Sequence, residues 1–283
     1  MPTVLLTSLA PLLWGTSYWV TTEFLPPNRP LFSATLRVLP GLVLVLGGRW
    51  TPSGRWWPKI LVLGLLNFGV FFALLFIAAY RLPGGVGATI GGIGPLVFAF
   101  LAWPLLNLRP RPVSVLAGLA GVVGVALLVL GPGARVDGLG VSAVVAAVGC
   151  MTLGGVLSKR WVRPASMAGY VGWQMVLAGL FLGGLCLGFE GIPSTLTATN
   201  LVAFAYLGFL ATGLAYALWF RGIERLGPSA SFLTLLGPLV AVALGYFSLG
   251  QAVSWVQGIG ILVVLSSVAA GHLASTRPES SRP

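Results

Sequence analysis

The sequence predicts an all-α integral membrane protein of ten transmembrane helices, built as two inverted five-helix repeats with the N- and C-termini cytoplasmic. Three observations predict it. First, 57% of the 283 residues are hydrophobic and 7% are charged, with a mean hydropathy of +0.98, whereas soluble domains carry about a quarter charged residues. Second, the signature Gly94, Pro95, Leu96, Val97 recurs as Gly237, Pro238, Leu239, Val240. Each copy lies inside an apolar run, shortly after an Arg-Leu pair (Arg81 and Leu82, then Arg225 and Leu226), so the chain reads as a duplicated unit of about 140 residues. Third, Lys and Arg are divided unevenly between the two sets of loops.

A bilayer core of about 30 Å takes about 20 apolar residues in a helix. Cutting the chain at charges, prolines and glycine-rich breaks gives spans 4–24, 30–48, 59–80, 84–107, 113–131, 138–158, 167–189, 200–222, 227–249 and 254–273. The first run lacks the basic region of a signal peptide, and its Trp-Gly-Thr-Ser centre is too polar for one, so it counts as a span. From Leu226 to Thr276 there is no formal charge over about 51 residues. As one helix that stretch would be about 76 Å long, so it is read as a hairpin turning at Gly250 and Gln251. The repeats are then 1–132 and 133–274, followed by a disordered cytoplasmic tail, 275–283.

Orientation follows from the basic residues. Arg49, Arg55, Lys59, Arg109, Arg111, Lys159, Arg160, Arg163, Arg221, Arg225, Arg277 and Arg282 fall in one set of loops and the tail. The opposite loops hold only Arg29, Arg81 and Arg135, with Glu23, Asp137 and Glu190. The positive-inside rule places both termini in the cytoplasm. An odd number of spans per half inverts the second half relative to the first, the architecture in which one half rocks against the other. Trp50, Trp56, Trp57, Trp161 and Trp255 fall at span ends, where indoles anchor at the headgroups.

The net charge of +11 does not indicate a nucleic-acid partner, because the basic residues are scattered singly and in pairs. Cys150 and Cys186 sit in apolar runs and form neither a disulfide framework nor a metal site. With one histidine, His272, no paired carboxylates and no Ser-His-Asp set, an enzyme is not expected. Neither a metal nor another cofactor is called for, and the absence of a nucleotide-binding loop excludes ATP-driven transport within this chain. The partners expected are a small-molecule substrate and the lipid bilayer; one chain already contains both halves, so a monomer is expected to suffice.

Several stretches resemble a known family. Leu13, Trp14, Gly15, Thr16 and Ser17, with Arg37 in the second span, resemble the start of an EamA-type domain of the drug/metabolite transporter superfamily. So does the stretch from Tyr206 through Gly213, Tyr216, Trp219, Phe220, Arg225, Leu226 and Gly227 to the second Gly-Pro-Leu-Val, Gly258 and Gly260. Leu153 to Arg160 resembles the YddG-type exporters, which implies export of aromatic and other neutral amino acids across a bacterial inner membrane. A multidrug exporter, or an exporter of other nucleobase- or sugar-like metabolites, is the alternative. Members typically carry Gly-Glu after spans four and nine; here Asn107, Leu108 and Gly250, Gln251 stand there, so nothing is carried over from those glutamates.

Matched interruptions in two halves point to a transporter's binding site, and mere kinks in packed helices are the competing reading. Trp14, Ser17, Tyr18 and Thr21 fall on one face of span one; Thr212, Tyr216 and Trp219, preceded by Tyr206, repeat the pattern in span eight. Each is a candidate for substrate contact or for helix-to-helix hydrogen bonding. Arg37, a charge deep in a span, must face protein or water. It binds either backbone carbonyls at the broken helices or the substrate's carboxylate. Asn67, Thr89, Gln174, Ser231 and Thr234 are further mid-membrane polar candidates. Gly84, Gly85, Gly87, Gly91, Gly92 and Gly94 read as a moving seam or as plain small-residue packing. Gly94, Pro95, Gly237 and Pro238 are the expected hinges of an alternating-access cycle, around a cavity lined by spans one, three, four, six, eight and nine.

Overall fold

The structure, a computed structural model, describes residues 2–82, 87, 90–129, 137–162, 166–249 and 254–276. Among the described residues the regular elements are all helical. In chain order they are α1 (Pro2–Gly15), α2 (Ser17–Phe24), α3 (Pro30–Val38), α4 (Gly41–Gly48), α5 (Trp56–Gly64), α6 (Val70–Ala79), α7 (Gly94–Leu106), α8 (Pro112–Val129), α9 (Gly138–Arg160), α10 (Met167–Phe189), α11 (Ala198–Ala205), α12 (Ala215–Leu226), α13 (Gly237–Leu249) and α14 (Trp255–Thr276). A π-helical stretch, Leu65–Gly69, joins α5 to α6; another, Tyr206–Leu214, joins α11 to α12; a 3-10 stretch, Gly227–Leu236, leads into α13.

Six described helical runs are long and apolar enough to cross a membrane: Pro30–Gly48, Trp56–Ala79, Gly138–Arg160, Met167–Phe189, Ala198–Leu244 and Trp255–Ala274. Gly94–Leu106 and Pro112–Leu127 are shorter apolar helices. The run expected as span one divides at Thr16 into α1 and α2. The expected turn at Gly250 and Gln251 lies outside the described residues, as does 277–283 of the expected tail; α14 continues through Thr276. Arg49 (φ 47°) and Asn107 (φ 57°) turn left-handed after α4 and α7, and Gly227 (φ 62°) breaks the run after α12.

Exposure is inverted relative to a protein in water. Leu46, Leu180, Phe189 and Phe247 are largely exposed, whereas Arg37, Asn67, Gln174 and Thr212 are buried. Such a surface is stable only against an apolar solvent, and it is the lipid-facing surface of a multi-pass membrane protein.

Without a hydrophobic drive between helices in lipid, close backbone approach does the packing. α4 lies against α10 through glycines. A Cβ on Gly48 would stand 2.3 Å from the Gly169 nitrogen, and one on Gly172 would stand 2.7 Å from the Val45 nitrogen. α8 packs along α14, where the Ser267 hydroxyl donates to the Ala117 carbonyl at 2.5 Å. Polar ties cross between the parts of the chain before and after residue 132. Glu190 accepts the N–H groups of Leu31 (2.8 Å) and Phe32 (2.9 Å) at the start of α3, an anion at a helix N-terminus, while Arg29 donates to its carbonyl. Asp137 caps α9 through Gly140 N–H and meets Arg81 at 3.4 Å. At the opposite end, the Trp173 indole donates to the Trp50 carbonyl at 2.6 Å, and Lys59 lies over the rings of Trp56 and Trp161.

The π-helical stretch Leu65–Gly69 holds a further tie, Asn67 Nδ2 donating to Gln174 Oε1 at 2.9 Å. Gln174 in turn donates to the Tyr170 carbonyl. Gly154 makes room for this pair, since a Cβ there would overlap the Asn67 amide oxygen. Gln174→Met keeps the volume and leaves Asn67 Nδ2 without an acceptor. It is expected to lower stability by about 1 kcal/mol, the usual size of such a bond between membrane helices, read as a lower midpoint of thermal unfolding in detergent. An unchanged midpoint would show that the pair adds nothing to stability.

Candidate functional site

Both Gly-Pro-Leu-Val copies open a helix rather than kinking one in mid-run. α7 starts at Gly94 and α13 at Gly237, so each proline falls in a first turn, where its missing N–H breaks no intrahelical bond. Ahead of the second copy, the 3-10 stretch turns the hydroxyls of Ser229, Ser231 and Thr234 onto the carbonyls of Leu226, Pro228 and Ser231. The two copies lie close to one site: Gly94 faces Thr234 Oγ1, and Gly15 of α1 rides on the Gly237 carbonyl.

Between these elements is a cavity of about 520 Å³, within the range of small-molecule sites. α1 and α2 contribute Trp14, Ser17, Tyr18 and Trp19; α6 contributes Phe71 and Phe72; α7 contributes Gly94 and Phe98. α9 adds Met151 and Thr152, α12 adds Tyr216, Trp219 and Ile223, the 3-10 stretch adds Ser231 and Thr234, and α13 adds Gly237 and Pro238. At the end of the bundle that holds Glu23, the lining includes the exposed Thr22. Towards the other end the lining residues Phe98 and Ile223 are buried, with Ala102 and Val156 packed beyond Phe98. Thr7 fills the space over Gly222, and the Lys159 ammonium donates to the Glu224 carbonyl.

Arg37 lies at the cavity wall. Its Nε donates to Thr212 Oγ1 at 2.8 Å, and its Nη2 to Ser17 Oγ at 3.0 Å and the Ala211 carbonyl at 3.4 Å. The guanidinium carbon stands 4.7 Å from the centre of the Phe72 ring. The Ala211 carbonyl also accepts the Trp14 indole N–H at 3.0 Å. That carbonyl and Thr212 belong to the π-helical stretch Tyr206–Leu214, whose wider turns do not make the ordinary i to i−4 ladder and can offer backbone carbonyls sideways. Gly208 in the same stretch lets the backbone sit against Pro40, where a Cβ would stand 2.7 Å from the ring. Trp14 then packs against Tyr216 (4.9 Å between ring centres) and Trp219 (5.3 Å).

The sequence profile of the EamA-like transporter family matches residues 1–130 and again 138–270. The chain belongs to the EamA-like transporter family. It is similar to Protein PecM of Dickeya dadantii (strain 3937), 41% identical over 263 residues, covering 92% of this chain and 88% of that protein. It is also similar to the WAT1-related protein At3g02690, chloroplastic, of Arabidopsis thaliana, 30% identical over 90% of this chain and 66% of that protein. The uncharacterized inner membrane transporter YedA of Escherichia coli (strain K12) is 25% identical over 91% of this chain and 86% of its own. One solved crystal structure superposes with a TM-score of 0.80 at 22% identity, over 98% of this chain and 99% of that one; this likeness concerns the fold alone. As an EamA-like protein the chain is a multi-pass membrane transporter and not an enzyme.

In this EamA-like structure the sequence candidates divide into groups. Trp14, Ser17, Tyr18, Arg37, Tyr216, Ser231 and Thr234 line the cavity, with the hinge candidates Gly94, Gly237 and Pro238. Thr212 stands behind Arg37 as its hydrogen-bond acceptor. Asn67 and Gln174 bond each other away from the cavity lining, and the Tyr206 hydroxyl pairs with Thr16 Oγ1 at 2.9 Å. Thr21 turns its hydroxyl back to the Ser17 carbonyl, and Pro95 is buried in the first turn of α7. Thr89, Gly84 and Gly85 lie outside the described residues, while Gly87, Gly91 and Gly92 join Gly94 in the lining. The sequence does not single out the lining residues Phe71, Phe72, Phe98, Trp19 and Met151, because an apolar residue facing the cavity reads the same as one facing lipid. For Phe72 the only sequence signal was a cluster of phenylalanines around Phe71 and Phe76. Among the described residues no group of three His, Cys, Asp or Glu is placed to hold a metal.

Proposed function

We propose that the protein is an alternating-access carrier that exports small organic solutes, aromatic and other neutral amino acids foremost, across the bacterial inner membrane. The observation that carries this reading is the cavity itself. Its walls come from both sides of residue 132 and include Gly94 of the first Gly-Pro signature and Gly237 and Pro238 of the second. It reaches the surface beside Thr22 and is sealed by Phe98, Ala102, Val156 and Ile223 towards the other end. In this reading the chain is two inverted five-helix repeats, 1–132 and 133–274, with both termini cytoplasmic, and the uneven distribution of Lys and Arg puts the open end outside. The conformation is then outward-facing, and helices starting at Gly94 and Gly237 tilt to exchange the mouth for the seal.

Aromatic walls with a few hydroxyls suit an aromatic amino acid. The predominance of apolar lining residues also supports a second reading, a multidrug exporter. Counterflow separates the two. Proteoliposomes preloaded with unlabelled phenylalanine, threonine or methionine are expected to accumulate the labelled amino acid saturably, equally with and without a pH gradient, since no carboxylate of the described residues lines the cavity. Absence of counterflow for every amino acid in folded protein, with transport of a lipophilic dye, would shift the reading to the drug exporter.

A further inference from the structure

Resting on the transport reading above, the structure assigns the recognition of the solute's head group to one donor: we propose that Nη1 of Arg37 receives a carboxylate, so that the solutes carried are amphipathic organic acids and zwitterions. The argument starts from charge. Arg37 is 1% exposed, and a guanidinium remains protonated throughout the cycle. Such a cation inside a membrane protein requires partners. Four of its five N–H donors belong to Nη1 and Nη2, and Nε carries the fifth. Nε and Nη2 are engaged by Thr212, Ser17 and the Ala211 carbonyl; Nη1 is buried and has no hydrogen-bond partner among the described residues.

The described carboxylates are committed elsewhere or lie at the ends of the bundle. Glu190 caps α3, Asp137 caps α9, and Glu23 and Glu224 stand near helix ends. None pairs with Arg37, whose polar contacts among the described residues are hydroxyls and a carbonyl. The full positive charge therefore stands uncompensated at the wall of a cavity. A carboxylate entering that cavity would supply both the missing acceptor and the missing charge, a charge-assisted bond of the stronger kind.

The neighbourhood fits the rest of such a molecule. Trp14, fixed by the same Ala211 carbonyl that holds Nη2, presents its ring with Tyr216 and Trp219 as an apolar wall. Phe72 packs against the guanidinium, 4.7 Å from its central carbon, and Arg37 is buried, so docking requires a small displacement of that ring. Ser231 and Thr234 have spent their hydroxyl protons on backbone carbonyls. Their oxygens are left as acceptors for an ammonium group, which admits a zwitterion beside a simple acid. A cation without a carboxylate would meet Arg37 with like charge.

The test is equilibrium binding to the purified wild-type protein in detergent, by calorimetric titration with four ligands that share a phenyl ring: 3-phenylpropionate, phenylalanine, phenylalanine amide and phenethylamine. The two carboxylates are expected to bind at least about tenfold more tightly than the amide and the amine, the size of one charge-assisted hydrogen bond. Arg37→Gln is expected to remove that gap, and Arg37→Lys to keep part of it. Equal binding of all four ligands by the wild type overturns the assignment, and so does a gap that survives Arg37→Gln. If Arg37→Gln does not fold, the wild-type series decides alone. Carboxylate-selective binding without counterflow of any solute would remove the transport reading and leave this site standing. Counterflow of a solute lacking a carboxylate, insensitive to 3-phenylpropionate, would do the reverse.

Discussion

Counterflow by the Gly94→Leu variant is expected to fall at least about tenfold, a rise of about 1.4 kcal/mol in the barrier to turnover. Its thermal unfolding is expected to stay close to that of the wild type. The two expectations come from one geometry. In this conformation Gly94 lines the cavity, and among the described residues the nearest atom to an added Cβ is Thr234 Oγ1 at 4.0 Å, so a larger side chain enters the cavity. In the proposed cycle, closing the cavity brings the approach to α13 towards α7, and the side chain then occupies the space that must vanish. Gly237 gives a less clean test, because an added Cβ there meets the Pro11 carbonyl at 3.4 Å. Gly15 approaches the same segment more closely still: its Cβ would stand 2.4 Å from the Gly237 carbonyl. Gly15 substitutions are therefore expected to damage folding and transport together. Wild-type counterflow from folded Gly94→Leu protein would remove the hinge.

What the sequence revealed and what it hid have physical causes. The membrane class was legible because the bilayer imposes its own composition on the outside of the molecule, and 7% charged residues leave no aqueous surface to build. That Arg37 needs partners was legible, because a mid-span charge is rare enough to demand an environment. Its partners were not, because Thr212 Oγ1 and the Ala211 carbonyl reach it only through the π-helical stretch Tyr206–Leu214. Amino-acid periodicity taken at 3.6 residues per turn does not signal that stretch. The same limit explains why Thr212, Tyr216 and Trp219, read as one face, divide in the structure between the Arg37 cradle and the cavity wall. The polar pair Asn67 and Gln174 shows the opposite failure. Mid-membrane amides invite a functional reading, yet once burial and geometry are known they satisfy each other. Polarity inside a membrane marks a need for partners, and only the fold tells whether the partner is protein or solute.

Arg37 and the second Gly-Pro signature come together through α1, so in the proposed reading Trp14 is the residue where head-group and body recognition meet. Its indole N–H is tied to the Ala211 carbonyl that also accepts from Arg37, and its ring faces Tyr216 and Trp219. The next residue, Gly15, touches the Gly237 backbone. A change of ring here separates two contributions. Trp14→Ala removes the wall and the donor, and the half-saturation concentration for phenylalanine counterflow is expected to rise at least about tenfold, since a packed aromatic contributes its buried area and about 0.5–1.5 kcal/mol more. Trp14→Phe restores most of the wall without the N–H, and its half-saturation is expected to lie much nearer the wild type. The Ala211 carbonyl keeps the Arg37 Nη2 bond in both variants, so the head-group preference for carboxylates is expected to persist while the affinity for the ring falls. Equal losses in the two variants would transfer the role from the ring to the hydrogen bond, making Trp14 a positioning residue for Ala211 and Arg37. Unchanged half-saturation in both would place the aromatic body of the solute elsewhere in the cavity, against Phe71 and Phe98.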